Sequence, residues 1–339
     1  MYMPRFNADV QKQKPTQGAK AMKKTTSSNR PSIYQTVTDR IVSSLKAGVI
    51  PWEKPWKTPR FTGGPFPRNF FTGKPYRGIN VLLLWSSDYS SPFWVTFKQA
   101  QELKGNVRKG ERGTPIVFYK QLPERTKQEG EATDEDERAP FLLCYYTVFN
   151  VEQCDGLKLP EFEQPITTPE IDEDELCECI VTAWEKRPAL HLTSPTEYRA
   201  YYRPSTDSVH MPARSRFVDA PHYYSTLFHE LVHSTGHESR LNRTFGDHFG
   251  DELYSKEELV AEMGAAFLCA IVGIANEHTD RNTTAYIQNW ISKLEADNRL
   301  VIHAAASAQR AADCILGESF EAKSTATEEE VEELAGVAA

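Results

Sequence analysis

The stretch "LFHELVHSTGH", residues 227–237, constrains this chain more than any other, because it places His-Glu-x-x-His within a helical pattern of apolar residues. His229 and His233 are four residues apart, so both side chains leave the same face of a helix. Two imidazoles in that arrangement each offer one nitrogen to a tetrahedral ion. Glu230 adjoins the first histidine and is the candidate general base. The pattern predicts the metal-binding helix of a zinc hydrolase, ending near Gly236.

A third protein ligand is needed, and the sequence offers a carboxylate on a later helix. A histidine six residues after the motif is excluded, because Ser239 occupies that position. In "YSKEELVAEMGAAFLCAIVGI", Glu258 and Glu262 lie four residues apart on an otherwise apolar helix, where an unpaired carboxylate is costly to bury. The pattern Glu258-x-x-Ala261-Glu262 resembles the ligand helix of several zincin families. We assign Glu258 to the ion and Glu262 to orienting a ligand histidine, with the reverse assignment left open. Glu257 is expected to point elsewhere.

The second half of the chain predicts a small α+β unit around this site. A helix is expected over "LCECIVTAWEKRP", then a strand pair in "YYRPSTDSVHMP", then helical segments at about 221–235, 255–273 and 281–316. The strand "DSVHMP" is expected at the sheet edge, where zinc hydrolases hold an extended peptide by strand addition. Zn2+ is the predicted ion, and a set of two histidines and a carboxylate also accepts Mn2+ or Co2+.

The charge of the chain is divided between its two halves. Residues 1–122 hold 21 Lys and Arg against 6 Asp and Glu, although the whole chain carries a net charge of −8. Such an asymmetry indicates that the first part meets a polyanion. Aromatic residues are interleaved with these cations, and flat rings stack on unpaired bases while cations neutralise phosphates. The first part is therefore predicted to bind single-stranded DNA.

The candidate DNA contacts are cationic and aromatic residues between residues 52 and 112. The set comprises Trp52, Lys54, Trp56, Lys57, Arg60, Arg68, Lys74, Tyr76, Arg77, Lys98, Arg108, Lys109 and Arg112, with Phe61, Phe70, Phe71 and Trp94 as further stacking candidates.

Helical and strand patterns also divide the chain into domains. A helix is expected near 33–48, and "GTPIVFYKQL" and "FLLCYYTVFNVEQCDGL" are expected to be strands joined through the acidic segment 123–140. The predicted fold is α+β, a mixed α/β DNA-binding domain followed by a metal-binding domain. The expected boundaries are a disordered basic arm at 1–31, the first domain at 32–156, a linker at 157–174, the second domain at 175–318 and a disordered acidic tail at 319–339.

With these residues in view, the chain resembles the ArdC-type antirestriction proteins. The segments "PWEKPW", "PYRGINVLLLW" and "WVTFKQAQELKGNVRKGERGTPIVFY" are similar to that family's single-stranded-DNA-binding domain. "YYRPSTDSVHMP", "YYSTLFHELVHSTGHESRLNR" and "EELVAEMGAAFLCA" are similar to its zincin-like metallopeptidase domain. The resemblance implies a protein of plasmids or other mobile elements that protects incoming DNA from host restriction endonucleases. It also implies metal binding by His229 and His233 and a catalytic-type Glu230.

Other functions stay open on the sequence alone. The metal site could be purely structural in a DNA-binding shield, or the metal could cleave DNA. The same first domain also occurs joined to plasmid primases, which leaves a role in replication and priming. A host protein, such as a restriction endonuclease, is a candidate substrate.

The chain has no apolar leader and no run of about 18 apolar residues, which predicts a cytoplasmic protein without a membrane partner. Its six cysteines include no CxxC pair, as expected for reduced thiols.

Overall fold

A computed structural model describes most of the chain from Ser32 to Glu318. The described residues are 32–52, 64–87, 89–121, 141–158, 173–244, 252–274 and 284–318. The predicted basic arm, the acidic segment 123–140, nearly all of the predicted linker and the acidic tail lie outside them. In the part of the chain that the structure describes, no helix is both long and apolar enough to cross a membrane.

The first part is built on a mixed four-stranded sheet with three helices. Its elements are α1 (Ile33–Lys46), β1 (Arg68–Asn69), α2 (Ile79–Trp85), β2 (Phe93–Thr96), α3 (Phe97–Glu102), β3 (Asn106–Val107), β4 (Thr114–Gln121), β5 (Phe141–Asn150) and β6 (Cys154–Asp155). The sheet order is β1-β2-β5-β4; β1 runs parallel to β2 and the other pairs are antiparallel. β3 and β6 form a separate two-stranded pair.

The predicted first helix and strand pair are present. α1 begins after Ser32, whose hydroxyl accepts the backbone N–H of Gln35 at 3.1 Å, and its apolar stripe of Val37, Ile41 and Leu45 is buried. The two predicted strands pair as β4 and β5 in antiparallel register, with Thr114 opposite Val148. Local capping and apolar spacing are thus sufficient to place these elements.

The second part combines a three-stranded sheet with five helices. Its elements are α4 (Glu173–Ala183), β7 (Ala189–Leu192), β8 (Tyr201–Arg203), β9 (Ser208–Met211), α5 (Ala220–Ser234), α6 (Glu252–Val272), α7 (Thr284–Ala296) and α8 (Leu300–Leu316). The prediction of one helical segment over 281–316 was wrong in one respect, because the chain turns between α7 and α8. The side chain of Asp297 accepts the N–H of Arg299 at 2.8 Å, a local bond that competes with continued helix.

The strand before the metal-binding helix is not at the edge of its sheet, contrary to the prediction. The order is β7-β9-β8, so β9 is central, paired in parallel with β7 and antiparallel with β8. β9 buries Val209 and Met211 on the side that packs against α5. β8 also packs against α5 and is at the edge of this sheet among the described strands, so strand addition beside the metal helix would use β8.

Helices α5 and α6 pack closely because small residues line their contact. A Cβ added at Gly264 of α6 would lie 2.8 Å from a methyl group of Val232 on α5, closer than real contacts allow. Ala261, one turn earlier, is fully buried. This close approach brings the polar side chains of the two helices to one place.

The two parts of the chain share a continuous apolar core. Buried residues of α1 and α2 belong to the same cluster as those of α5, α6 and α8. At the junction, Arg77 pairs with Asp313, and the N–H of Gly78 donates to Gln309 Oε1 at 3.0 Å. The first and second parts therefore have separate sheets over one shared core.

Candidate metal centre and nucleic-acid surface

The metal-binding helix begins where the sequence offers a strong cap. The carboxylate of Asp219 accepts the N–H of His222 at 2.9 Å, and Pro221 occupies the first turn. α5 then runs to Ser234 with Leu227 and Leu231 buried. The apolar face thus anchors the helix, and the histidine face is turned towards α6.

Three side chains meet between α5 and α6. One ligand atom from each of His229, His233 and Glu258 lies within 4.8 Å of the others. The Nε2 atoms of the two histidines are 3.0 Å apart, and the Glu258 carboxylate lies 3.7 Å from His229 Nε2 and 3.4 Å from His233 Nε2. Two imidazole nitrogens and one carboxylate oxygen facing a common point fit the donor set of a divalent transition metal ion.

The two carboxylates left open by the sequence occupy different sides of His229. Glu258 faces Nε2, the nitrogen directed at the common point, while Glu262 Oε1 lies 3.9 Å from Nδ1 on the far side of the ring. This geometry favours Glu258 as the ligand and Glu262 as the group behind it.

Glu257 is a site residue that the sequence reasoning missed. Its carboxylate lies 3.4 Å from Nδ1 of His233 and is held by Arg243 through bonds of 2.6 and 3.0 Å. Because Glu257 is next to Glu258 on α6, its side chain was expected to point away from the ion. The imidazole of His233 lies in that direction. The sequence offers one signal for this role, Arg243, which comes ten residues after His233. A buried arginine needs a carboxylate partner.

The electrostatics of the centre favour a positive charge between the imidazoles. Burial lowers the pKa of His233, but the carboxylates of Glu257, Glu258 and Glu230 outweigh that effect and raise it to about 10. Burial raises the pKa of Glu258, yet the two histidines hold it well below its usual range. A bound cation would satisfy the same carboxylates. Glu230, which is 3% exposed, is near enough to contribute to this field.

Several predicted DNA-stacking residues are buried in the apolar core, and for these the prediction was wrong. Trp52 is 3% exposed, Tyr76 is 7% exposed and Trp94 is 2% exposed. Burial raises the pKa of the Tyr76 phenol to about 12. Rings that are at most 7% exposed offer no face to a base. The sequence could not reveal this, because distant contacts decide whether a loop aromatic is buried or exposed.

The predicted phosphate contacts that the structure describes fall into two groups. Arg77 is taken up by Asp313, and Arg108 donates to Glu111 and to the carbonyl of Glu152. The remaining described residues carry their charge at the surface or close to it, with Lys98 3.8 Å from Glu102: they are Arg68, Lys74, Lys98, Lys109 and Arg112. The candidates Lys54, Trp56, Lys57, Arg60 and Phe61 lie outside the described residues.

Exposed rings do occur on the first part, mostly at positions the sequence did not single out. Phe71, a predicted candidate, is 44% exposed, while Phe97 and Tyr145 are 41% and 61% exposed. Phe97 begins α3 immediately before the surface cation Lys98. The described surface of the first part thus carries both exposed rings and cations, the two residue types used in single-strand binding.

Both parts of the chain are similar to known protein families. Residues 31–149 match the model of the N-terminal domain of anti-restriction factor ArdC, and residues 189–307 match a zincin-like metallopeptidase model. Crystal structures of the antirestriction protein ArdC from plasmid R388, one Mn(II)-bound and one metal-free, are 37% identical in sequence. The Mn(II)-bound structure has a TM-score of 0.65, and the match covers 84% of this chain and 97% of that one. The metal-free structure has a TM-score of 0.64, and the match covers 90% of this chain and 98% of that one.

Curated relatives include longer proteins. Two proteins named DNA primase TraC from Escherichia coli are 38% and 37% identical over 86% of this chain. This chain spans only 27% and 20% of the length of those two proteins. An uncharacterized protein, y4eC, from Sinorhizobium fredii is 35% identical and is covered over 94% of its length. The same pair of parts therefore occurs in relatives of about this size and as a segment of larger ones.

Proposed function

The chain belongs to the ArdC family of antirestriction proteins, and on that premise we propose that it binds single-stranded DNA and a divalent metal ion and protects incoming DNA of a mobile element from host restriction endonucleases. The observation that carries the metal half is the meeting of His229, His233 and Glu258 within 4.8 Å. The proposed location is the cytoplasm, where such DNA would meet those endonucleases.

At the metal centre, each side chain has a distinct proposed role. His229, His233 and Glu258 hold the ion, which supplies Lewis-acid polarisation to a peptide carbonyl when bound. Glu230, buried beside His229, takes the proton of the attacking water. Glu262 stands behind His229 and limits the ring's rotation. Zn2+ is the proposed ion, and the Mn(II)-bound R388 relative makes Mn2+ an equal test case alongside Co2+.

The proposed DNA surface is the group of exposed rings and surface cations on the first part. Phe71 and Phe97 supply stacking faces, and Lys74, Lys98 and Lys109 supply charge. Since single-strand binding releases about 0.7 counterion per phosphate contact, one contact from each of these three lysines would give a log–log salt slope of about −2.1. Fluorescence anisotropy of a labelled strand across a salt series measures that slope. An affinity independent of salt would contradict the proposal.

The role of hydrolysis is tested by Glu230→Gln, which preserves size and the metal ligands. Plasmid transfer into a restricting host measures protection, and calorimetry measures the metal. If protection survives in the variant with the ion still bound, the protein is a DNA-binding shield with a structural metal. If protection is lost while metal and DNA are still bound, hydrolysis is part of the function, and a restriction endonuclease is the first substrate to assay. Cleavage of a labelled single strand would instead indicate a nuclease.

A second candidate function rests on the relatives named DNA primase TraC. In this view the chain corresponds to a DNA-binding module accessory to plasmid replication or priming. Adding the protein to a priming reaction on single-stranded template separates the two functions. Stimulation of primer synthesis without any protection from restriction would favour the priming role.

A further inference from the structure

Arg243, in the loop after α5, forms hydrogen bonds to both helices of the metal centre, α5 and α6. Its guanidinium donates to the Val232 carbonyl at 2.9 Å and to Thr235 Oγ1 at 2.7 Å, both at the end of α5. The same group donates to both carboxylate oxygens of Glu257 on α6, at 2.6 and 3.0 Å. The Arg243 and Glu257 side chains are only 13% and 7% exposed. A planar guanidinium is suited to this task because its donors have fixed directions.

The carboxylate held in this way faces the back of a ligand histidine. Glu257 Oε1 lies 3.4 Å from Nδ1 of His233, while Nε2 of the same ring points towards His229 and Glu258. An acceptor behind a ligand imidazole selects the tautomer with the proton on Nδ1, which leaves the Nε2 lone pair for the ion. The bidentate bond to Arg243 fixes where that acceptor stands.

We propose that Arg243 and Glu257 form a positioning pair that sets the tautomer and ring orientation of His233 and thereby the affinity of the centre for its ion. The inference rests on the proposed metal site and adds residues to it. Glu262 faces Nδ1 of His229 and Glu257 faces Nδ1 of His233, so each imidazole has its own carboxylate behind it. The carboxylate behind His233 is fixed by an arginine of the loop after α5, which makes that loop part of the metal centre.

The same loop contains a matched control. Arg240 also binds the end of α5, donating to the Ser234 carbonyl at 2.8 Å, and it also pairs through both terminal nitrogens with a carboxylate, that of Asp207. Its side chain is 2% exposed. None of its described contacts reaches His229 or His233. Changing Arg240 therefore tests the loop anchor without touching the histidines.

The test compares Arg243→Lys and Glu257→Gln with Arg240→Lys in the full chain. The lysine variants keep a positive charge but lose the two-pronged bond, and the glutamine keeps an acceptor but loses its charge. Binding of Mn2+ is measured from the loss of the free ion's paramagnetic resonance signal, and thermal unfolding of the metal-free proteins records any change in stability. Wild type and His233→Ala provide the reference values.

We expect Arg243→Lys and Glu257→Gln to weaken Mn2+ binding about 10- to 100-fold, as is usual for groups that orient a metal ligand, and Arg240→Lys to leave it within about twofold. Equal weakening by both lysine variants would show that only the general stability of the loop matters, and would overturn the pair. Unchanged binding in Arg243→Lys and Glu257→Gln would overturn it as well. If wild type binds no better than His233→Ala, the proposed site itself fails, a result distinct from the other two.

Discussion

The candidate metal centre and the candidate DNA contacts of the first part show how differently a sequence reveals two kinds of site. The centre is formed by two helices whose side-chain directions follow from spacing alone, so residues four apart such as His229 and His233 share a face. The candidate DNA residues are spread over loops and short strands. There, Trp52 and Tyr76 proved buried, while Phe97, which was not singled out, is exposed. Local periodicity determines orientation, whereas the burial of a loop residue is decided by distant contacts.

The largest expected effect tests the more predictable region. Replacing Glu258 with Gln should lower metal affinity by about 100-fold or more. Changes to groups that only orient a metal ligand typically lower it by about 10- to 100-fold. The reason is that a neutral amide replaces the negative ligand between two imidazoles. Titration calorimetry with Zn2+ measures the change. Glu262→Gln is the control, and a larger loss in that variant would reverse the assignment of the two carboxylates.

The largest expected loss of folding stability concerns a ring that composition assigned to DNA. Trp52 is packed in the core, so Trp52→Ala should destabilise the protein by about 3–5 kcal/mol, the usual cost of truncating a buried aromatic. Urea unfolding followed by circular dichroism measures the change. A variant that unfolds at the wild-type urea concentration but loses DNA affinity would restore Trp52 to the DNA surface and break the comparison.

Phe97 should show the opposite behaviour. Its ring is 41% exposed, so Phe97→Ala should weaken single-strand binding by about 1–3 kcal/mol, the range measured for base stacking on aromatic rings. Its stability should change little. Anisotropy with a labelled oligonucleotide measures affinity, and Phe97→Tyr, which keeps a stacking face, serves as the control. Equal affinities for all three proteins would remove this ring from the surface.

The smallest expected effect distinguishes two neighbouring cations. Arg77 pairs with Asp313 on α8, so Arg77→Ala should lower stability by about 1–3 kcal/mol, typical of a hydrogen bond to a charged group, with little change in the salt dependence of DNA binding. Lys74→Ala should change stability little and should reduce the salt slope of DNA binding by about 0.7. Thermal unfolding and a salt series on both variants give the answer. A reduced slope for Arg77→Ala alone would contradict these roles.

The parts of the fold that the sequence predicted are those with local causes. α1 is capped by Ser32, α5 is capped by Asp219, and β4 and β5 show strand patterns, so their placement needed no tertiary information. The central position of β9 could not be predicted, because its pairing with β7 depends on residues about 20 positions earlier in the chain. The Asp297 turn was missed because a single side-chain cap is weaker evidence than a long apolar pattern.

The shared core and Glu257 had non-local causes as well. The sequence could not reveal that the two parts share a core, because Gly78 of the first part bonds to Gln309 of the second, a contact between residues 231 positions apart. Glu257 was assigned away from the site because helical spacing describes only one helix at a time. Its partners, His233 and Arg243, lie on α5 and on the loop that follows.

The most direct measurement is a crystal structure of the protein soaked with Zn2+ or Mn2+, with anomalous scattering recorded at the edge of the added metal. The account predicts one strong anomalous peak at about 2.0–2.2 Å from Nε2 of His229, Nε2 of His233 and an oxygen of Glu258. An anomalous peak coordinated by Glu262 or Glu257 instead of Glu258, or no peak between the two histidines, would contradict it.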